Sequence, residues 1–195
     1  MDKKKFISDS LNESSETKIK MLTDCAEDIL YAVRIISDSY KMGKKLLLCG
    51  NGGSAADCQH IATEFMIRLS HHINRPALPA IALTTDSSNL TAGGNDIGFE
   101  NIFARNIEGL GNEGDVLITI STSGNSPNLL KAVEQAKSKG LKVIGFLGGS
   151  GGKLKTLVDL PIIIPSSNTQ RIQEGHITTA HIICELVEDD LYGNS

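Results

Sequence analysis

Apolar residues at Leu22, Cys25, Ala26, Ile29, Leu30, Val33, Ile36 and Tyr40 recur at three-to-four spacing, which predicts one face of a helix over residues from about 10 to 41. Ser10-Leu11-Asn12-Glu13 has the spacing of a capping box, and Gly43 stops the helix at its other end. The pattern then changes to short unbroken apolar runs at 45–49, 80–84, 115–120, 142–147 and 161–164, separated mostly by helical stretches at 54–69, 100–110, 127–139 and 170–191. Runs of this kind are strands buried on both faces. Interleaved with helices, they predict an α/β domain with a parallel sheet covered on each side. The whole chain, 1–195, reads as one domain in which 1–43 is an N-terminal helical extension. The extension's apolar face can cover the domain or another subunit, and pattern alone does not choose.

Open parallel sheets bind ligands beyond the carboxyl ends of their strands, so the chemistry belongs in the loops after residues 49, 84, 120, 147 and 164. The first is Cys49-Gly50-Asn51-Gly52-Gly53-Ser54, where glycines allow close backbone approach and the N–H groups of the next helix can hold an anion. On that helix His60 and Glu64 are four residues apart and lie on one face, a candidate acid/base pair. After the third run, Ser121-Thr122-Ser123-Gly124-Asn125-Ser126-Pro127 is a second anion loop, with Ser126 at the N-cap position and Pro127 opening a helix. The final helix carries Arg171-Ile172-Gln173-Glu174-Gly175-His176 and then His181. Gln173 and His181 are about 80° apart around an ideal helix, and Gln173 and His176 about 60° in the other sense. Spacing does not choose between the histidines, and a lone helical histidine is more often packed or solvated than a reagent. His71 and His72, beside Arg75-Pro76, read as solvated surface.

With 195 residues, 40% hydrophobic and 22% charged, the chain has the composition of an ordinary globular domain. The charged start Met1-Asp2-Lys3-Lys4-Lys5 has no apolar stretch behind it, and no run of eighteen apolar residues occurs, so a cytoplasmic protein is expected. Cys25, Cys49, Cys58 and Cys184 have no metal-ligand spacing and read as reduced, buried thiols. A net charge of −4, no Trp and 4% aromatics argue against a nucleic-acid surface.

Taken together, Cys49-Gly50-Asn51-Gly52-Gly53-Ser54-Ala55-Ala56-Asp57, His60-Ile61-Ala62-Thr63-Glu64, Arg75-Pro76, Gly94-Asn95-Asp96, Ser121 to Ser126 and Arg171-Ile172-Gln173-Glu174 closely resemble the phosphoheptose isomerases of the sugar isomerase (SIS) domain superfamily. The resemblance implies a doubly wound, flavodoxin-like five-stranded parallel sheet, a homotetramer with active sites between subunits, and conversion of sedoheptulose 7-phosphate to D-glycero-D-manno-heptose 7-phosphate for bacterial lipopolysaccharide and capsule precursors. It assigns the acid/base role to Glu64 and the catalytic histidine to His181. It implies a zinc ion on His60, Glu64, Gln173 and His181. Sugar and phosphate contacts fall on Asn51, Gly52, Gly53, Ser54, Glu64, Asn95, Asp96, Ser121, Thr122, Ser123, Ser126 and Gln173. Gln170 departs from the pattern, since some relatives have an aspartate there.

Two other readings compete. Gly50-Asn51-Gly52-Gly53-Ser54-Ala55 satisfies a dinucleotide fingerprint, but no ribose-binding acid ends a second strand about 20 residues on, and no nucleotide cofactor is expected. A non-catalytic SIS-domain binding protein, resembling the replication-initiator-associating protein, shares the fold. That relative lacks the glutamate and the late histidine, whereas this chain has Glu64 and His181.

Overall fold

The computed structural model describes residues 1–69 and 71–193. Its strands β1 (Leu46–Gly50), β2 (Ala80–Ala82), β3 (Val116–Ser121), β4 (Lys142–Gly148) and β5 (Leu160–Ile164) form a 5-stranded sheet in the order β2-β1-β3-β4-β5. Every pairing is parallel, and the register Cys49↔Thr119 and Gly50↔Ile120 ends β1 and β3 side by side. This is the doubly wound order whose switch point lies between the first and third strands.

Strand alternation divides the core into two layers. Leu46, Leu48, Val116, Ile118, Ile120, Ile144, Phe146 and Ile162 pack with α1 (Lys3–Asp24), α2 (Ala26–Lys41), α3 (Gly53–Met66) and α7 (Thr169–Tyr192). Leu47, Cys49, Leu117, Val143 and Leu147 face α5 (Ile102–Leu110) and α6 (Pro127–Ser138), with Leu90 of α4 (Ser87–Asp96) at their edge. Burying one large apolar side chain contributes roughly 1.5–3 kcal/mol, so the strands need apolar residues on both faces. That is why they read as unbroken runs.

The N-terminal element differs from its sequence reading. The helix starts at Lys3, where the Asp2 carboxylate accepts the N–H groups of Lys4 at 3.0 Å and Lys5 at 3.2 Å, so Ser10 lies inside the helix and caps nothing. It also breaks at Cys25, whose φ of −125° ends α1 before α2 begins. The helix α4 falls in a stretch read as a polar loop. Asp86 caps it, accepting from Asn89 N–H at 3.0 Å, and it buries none of its residues, which leaves no apolar periodicity to read. β2 is shorter than its apolar run because pairing ends at Ala82.

Among the described residues, no helix is long and apolar enough to cross a membrane. The four cysteines are free and buried. Burial pushes the Cys49 thiol up to about 12 and, with help from Asp24 and Asp28, the Cys25 thiol up to about 11, so neither is a thiolate nucleophile at neutral pH.

Candidate active site

α3 and α7 lie against one another on the same face of the sheet and bring three reactive side chains together. Their four-residue spacing puts His60 and Glu64 on one face of α3, with Nε2 of His60 3.1 Å from Oε1 of Glu64. His181 of α7 completes the group, its Nε2 3.0 Å from that of His60. Two facing ring nitrogens need a proton or a cation between them. The three donor atoms all lie within 4.8 Å of one another. In a tetrahedron with metal–ligand bonds of about 2.0 Å the donors stand about 3.3 Å apart, so the two short edges here suit an ion such as zinc. Both imidazoles and the carboxylate are donors that zinc accepts, and the exposure of His60 leaves the cluster open to a ligand.

Gln173 occupies the other end of α3. Its amide nitrogen sits 2.6 Å from where a Cβ on Gly53 would be. Gly53 precedes His60 by two helical turns, about 10 Å along the axis, so the Gln173 amide is held at the anion-loop end of α3.

Both anion loops form at the adjacent ends of β1 and β3. Ser54 is buried, its N–H bonds Asn51 O at 3.0 Å and the Ala55 N–H bonds Gly52 O at 3.0 Å, so among the described contacts the turn's open donors are the N–H groups of Gly52 and Gly53. In the second loop the Ser121 hydroxyl accepts from Gly124 N–H at 3.0 Å and that of Ser123 from Asn125 N–H at 3.3 Å. Ser126 is the N-cap of α6 with Pro127 next, as the sequence suggests, yet its side chain makes no cap hydrogen bond and its hydroxyl remains available. Gly124 has φ +65°, and a Cβ there would come within 1.9 Å of the Gly151 carbonyl oxygen. The loop after β4 therefore braces the serine turn. The amides of Asn51 and Asn128 exchange hydrogen bonds of 3.0 and 2.8 Å, locking the two loops together. These residues line a cleft of about 530 Å³ with Phe99, Glu100, Ser126 and Pro127. Asn95 and Asp96 stand at the exposed carboxyl end of α4, just ahead of Phe99, and bond each other at 2.6 Å.

Several residues fall differently from the reading of sequence alone. His176 is fully buried, its Nε2 3.0 Å from Leu147 O, and burial, only partly offset by that bond, lowers it to about 4. It is a neutral core residue. Because the unfolded imidazole binds its proton near its ordinary value of 6.5, stability should fall as pH drops from there toward 4, by about 3 kcal/mol in all. Urea unfolding of His176→Phe across that window is expected to lose much of this slope; an unchanged slope would place it on other groups. Gln170 is exposed, and its Oε1 accepts from Arg171 at 3.5 Å. Three participants went unrecognised. Asn128 gave no signal beyond its place after Pro127. Asp57 lies one turn before His60 on α3, with Oδ2 buried and unpartnered; burial raises its carboxyl and His60 opposes the shift. Arg75, quoted in the sequence only as part of Arg75-Pro76 and given no role, has a buried guanidinium.

This arrangement of sheet, switch-point loops and helices is that of a SIS domain, and residues 11–148 match the SIS domain family model. The chain is 52% identical over 192 residues to the phosphoheptose isomerase of Clostridium acetobutylicum, covering 97% of each chain. It is 50% identical to that of Burkholderia pseudomallei, covering 96% of this chain and 95% of the relative. The solved structure of a phosphoheptose isomerase from Francisella tularensis superposes with a TM-score of 0.93 at 38% identity, covering 97% of this chain and 100% of that one. The chain belongs to the phosphoheptose isomerase family.

Proposed function

We propose that this chain is an aldose–ketose isomerase that converts sedoheptulose 7-phosphate into D-glycero-D-manno-heptose 7-phosphate in the cytoplasm, supplying heptose for bacterial surface polysaccharides. The observation that carries this reading is the cluster of His60, Glu64 and His181 beside two anion-holding turns. Isomerisation moves a proton between C1 and C2 of the opened sugar, so it needs one base with access to both carbons. Glu64 takes the proton from C1 or C2 and returns it to the other carbon. His181 moves protons at the neighbouring oxygens and assists ring opening. The hydroxyls of Ser121, Thr122, Ser123 and Ser126 and the N–H groups of Gly52 and Gly53, with Ser54 packed beneath them, grip the phosphate, each charge-assisted bond contributing roughly 1.5–3 kcal/mol. Asn51 shapes this cradle through Asn128, while Gln173, Asn95 and Asp96 address the sugar hydroxyls. Zinc on His60, Glu64 and His181, with the Gln173 amide as a further donor from the sugar side, would polarise the carbonyl.

NMR of purified protein with sedoheptulose 7-phosphate tests the reading. Appearance of the aldoheptose 7-phosphate is expected; binding of the sugar without conversion would overturn it in favour of a non-catalytic SIS-domain role.

The homotetramer is supported by an apolar groove in which Met21, Leu22, Ile29, Leu30, Ile182 and Leu186 meet, with Leu22 75% exposed. Active sites at the subunit interfaces would follow, because α7 contributes both to this face and to the catalytic cluster. Leu22→Glu paired with Ile182→Glu should lower the mass found by light scattering from four chains to two or one, and an unchanged mass would move the interface elsewhere.

A further inference from the structure

We infer that Arg75 is a positioning residue for the isomerase site, acting as a clamp that sets where Glu64 stands relative to His181. The inference rests on the reading of Glu64 and His181 just given. The Arg75 guanidinium and the Glu188 carboxylate are each 1% exposed, with Nη2 2.6 Å and Nε 2.7 Å from the same Glu188 oxygen. The other edges of the fork face α3. Nη2 donates to Glu64 O at 2.7 Å, and Nη1 donates to Phe65 O at 2.8 Å and to Pro76 O at 3.0 Å. Glu188 follows His181 by seven residues, two turns along the same face of α7. One planar cation thus joins the backbone of the proposed base to the helix that carries the proposed histidine.

Two arguments make this more than a buried ion pair. Such pairs roughly break even against well-packed apolar replacements, so stability alone does not call for one here. The donors also reach the carbonyls at the end of α3, which lack partners within the helix, and one of them belongs to Glu64 itself. A cation at that end is favourable to the helix dipole as well. Lysine keeps the charge but not the fork, and cannot span Glu188 and both carbonyls at once.

The test compares Arg75→Lys and Glu188→Gln with Ser37→Ala. Ser37 donates to Asp190 at 3.0 Å, a tie between α2 and α7 that touches neither α3 nor the site. Each protein is assayed well below its melting point for kcat and KM on sedoheptulose 7-phosphate and, separately, for Co²⁺ affinity by absorbance. Arg75→Lys is expected to lose about 10- to 100-fold in kcat, since a displacement near 1 Å suffices for that, and about tenfold in Co²⁺ affinity. KM should stay within about twofold because the phosphate turns are untouched. Glu188→Gln should lose several-fold in kcat and carries the test if Arg75→Lys does not fold. Ser37→Ala should lower Tm alone. Wild-type kcat and Co²⁺ affinity in folded Arg75→Lys would overturn the inference, as would losses no larger than those of Ser37→Ala. Glu64→Gln, run alongside, separates the layers: if it turns over normally, the reading of the site fails; if it is inactive while Arg75→Lys is normal, only the clamp fails.

Discussion

Glu64→Gln should lower turnover of sedoheptulose 7-phosphate by at least about 10³-fold, a barrier increase of about 4 kcal/mol, at the upper end of what one proton-transfer group supplies. The loss is expected to be large because the same carboxylate serves both carbons, and an amide of equal size cannot take a proton at either. The fold should be spared. Glu64 bonds only His60 through its side chain among the described contacts, whereas its backbone carbonyl is held by Arg75 and survives the change. Progress curves by NMR, with light scattering and a melting curve on the same sample, check both halves. Near-normal turnover would remove Glu64 from the chemistry.

Removing bound metal is expected to cost about 100-fold or more in activity, restored by zinc. Three donors from two helices converge on one point, and the two facing imidazole nitrogens are left opposed when no ion separates them. His60→Ala should act like the chelator and also lose the metal in native mass spectrometry, since it removes one of the three clustered His and Glu donors. Binding must compete with protons on the imidazoles, so affinity should fall as the solution is acidified. A protein that retains its activity after verified metal removal would make the ion incidental, leaving Glu64 and His181 to work alone.

The sheet was legible because its central strands are buried on two faces: runs such as Leu46-Leu47-Leu48-Cys49 have no other soluble home, and their loops begin where hydrophobicity stops. The spacing of His60 and Glu64 was equally plain, since a helix enforces it. What could not be read was long-range. Nothing local says that His181 rather than His176 meets His60; that depends on the rotation of α7 over the sheet, which turns His176 toward Leu147 O and His181 outward. Arg75 sits in a polar stretch outside any helix or strand, and only the arrival of Glu188 from far along the chain shows what its buried guanidinium pairs with. Asn51 was read as a ligand group, yet its amide is engaged by Asn128, so much of its effect is to fix the loop geometry. The start of α1 went astray because Ser10-Leu11-Asn12-Glu13 has the spacing of a cap while Asp2 performs that role eight residues earlier.

The central claim is that α3 and α7 hold a carboxylate and an imidazole over an opened sugar whose phosphate rests in the serine turn. A crystal structure of Glu64→Gln with sedoheptulose 7-phosphate tests this most directly. The account predicts the phosphate within hydrogen-bond reach of Ser121, Thr122, Ser123 and Ser126, and the residue 64 side chain within about 3.5 Å of both C1 and C2. A phosphate bound elsewhere, or C1 and C2 far from residue 64 in every protomer, would contradict it.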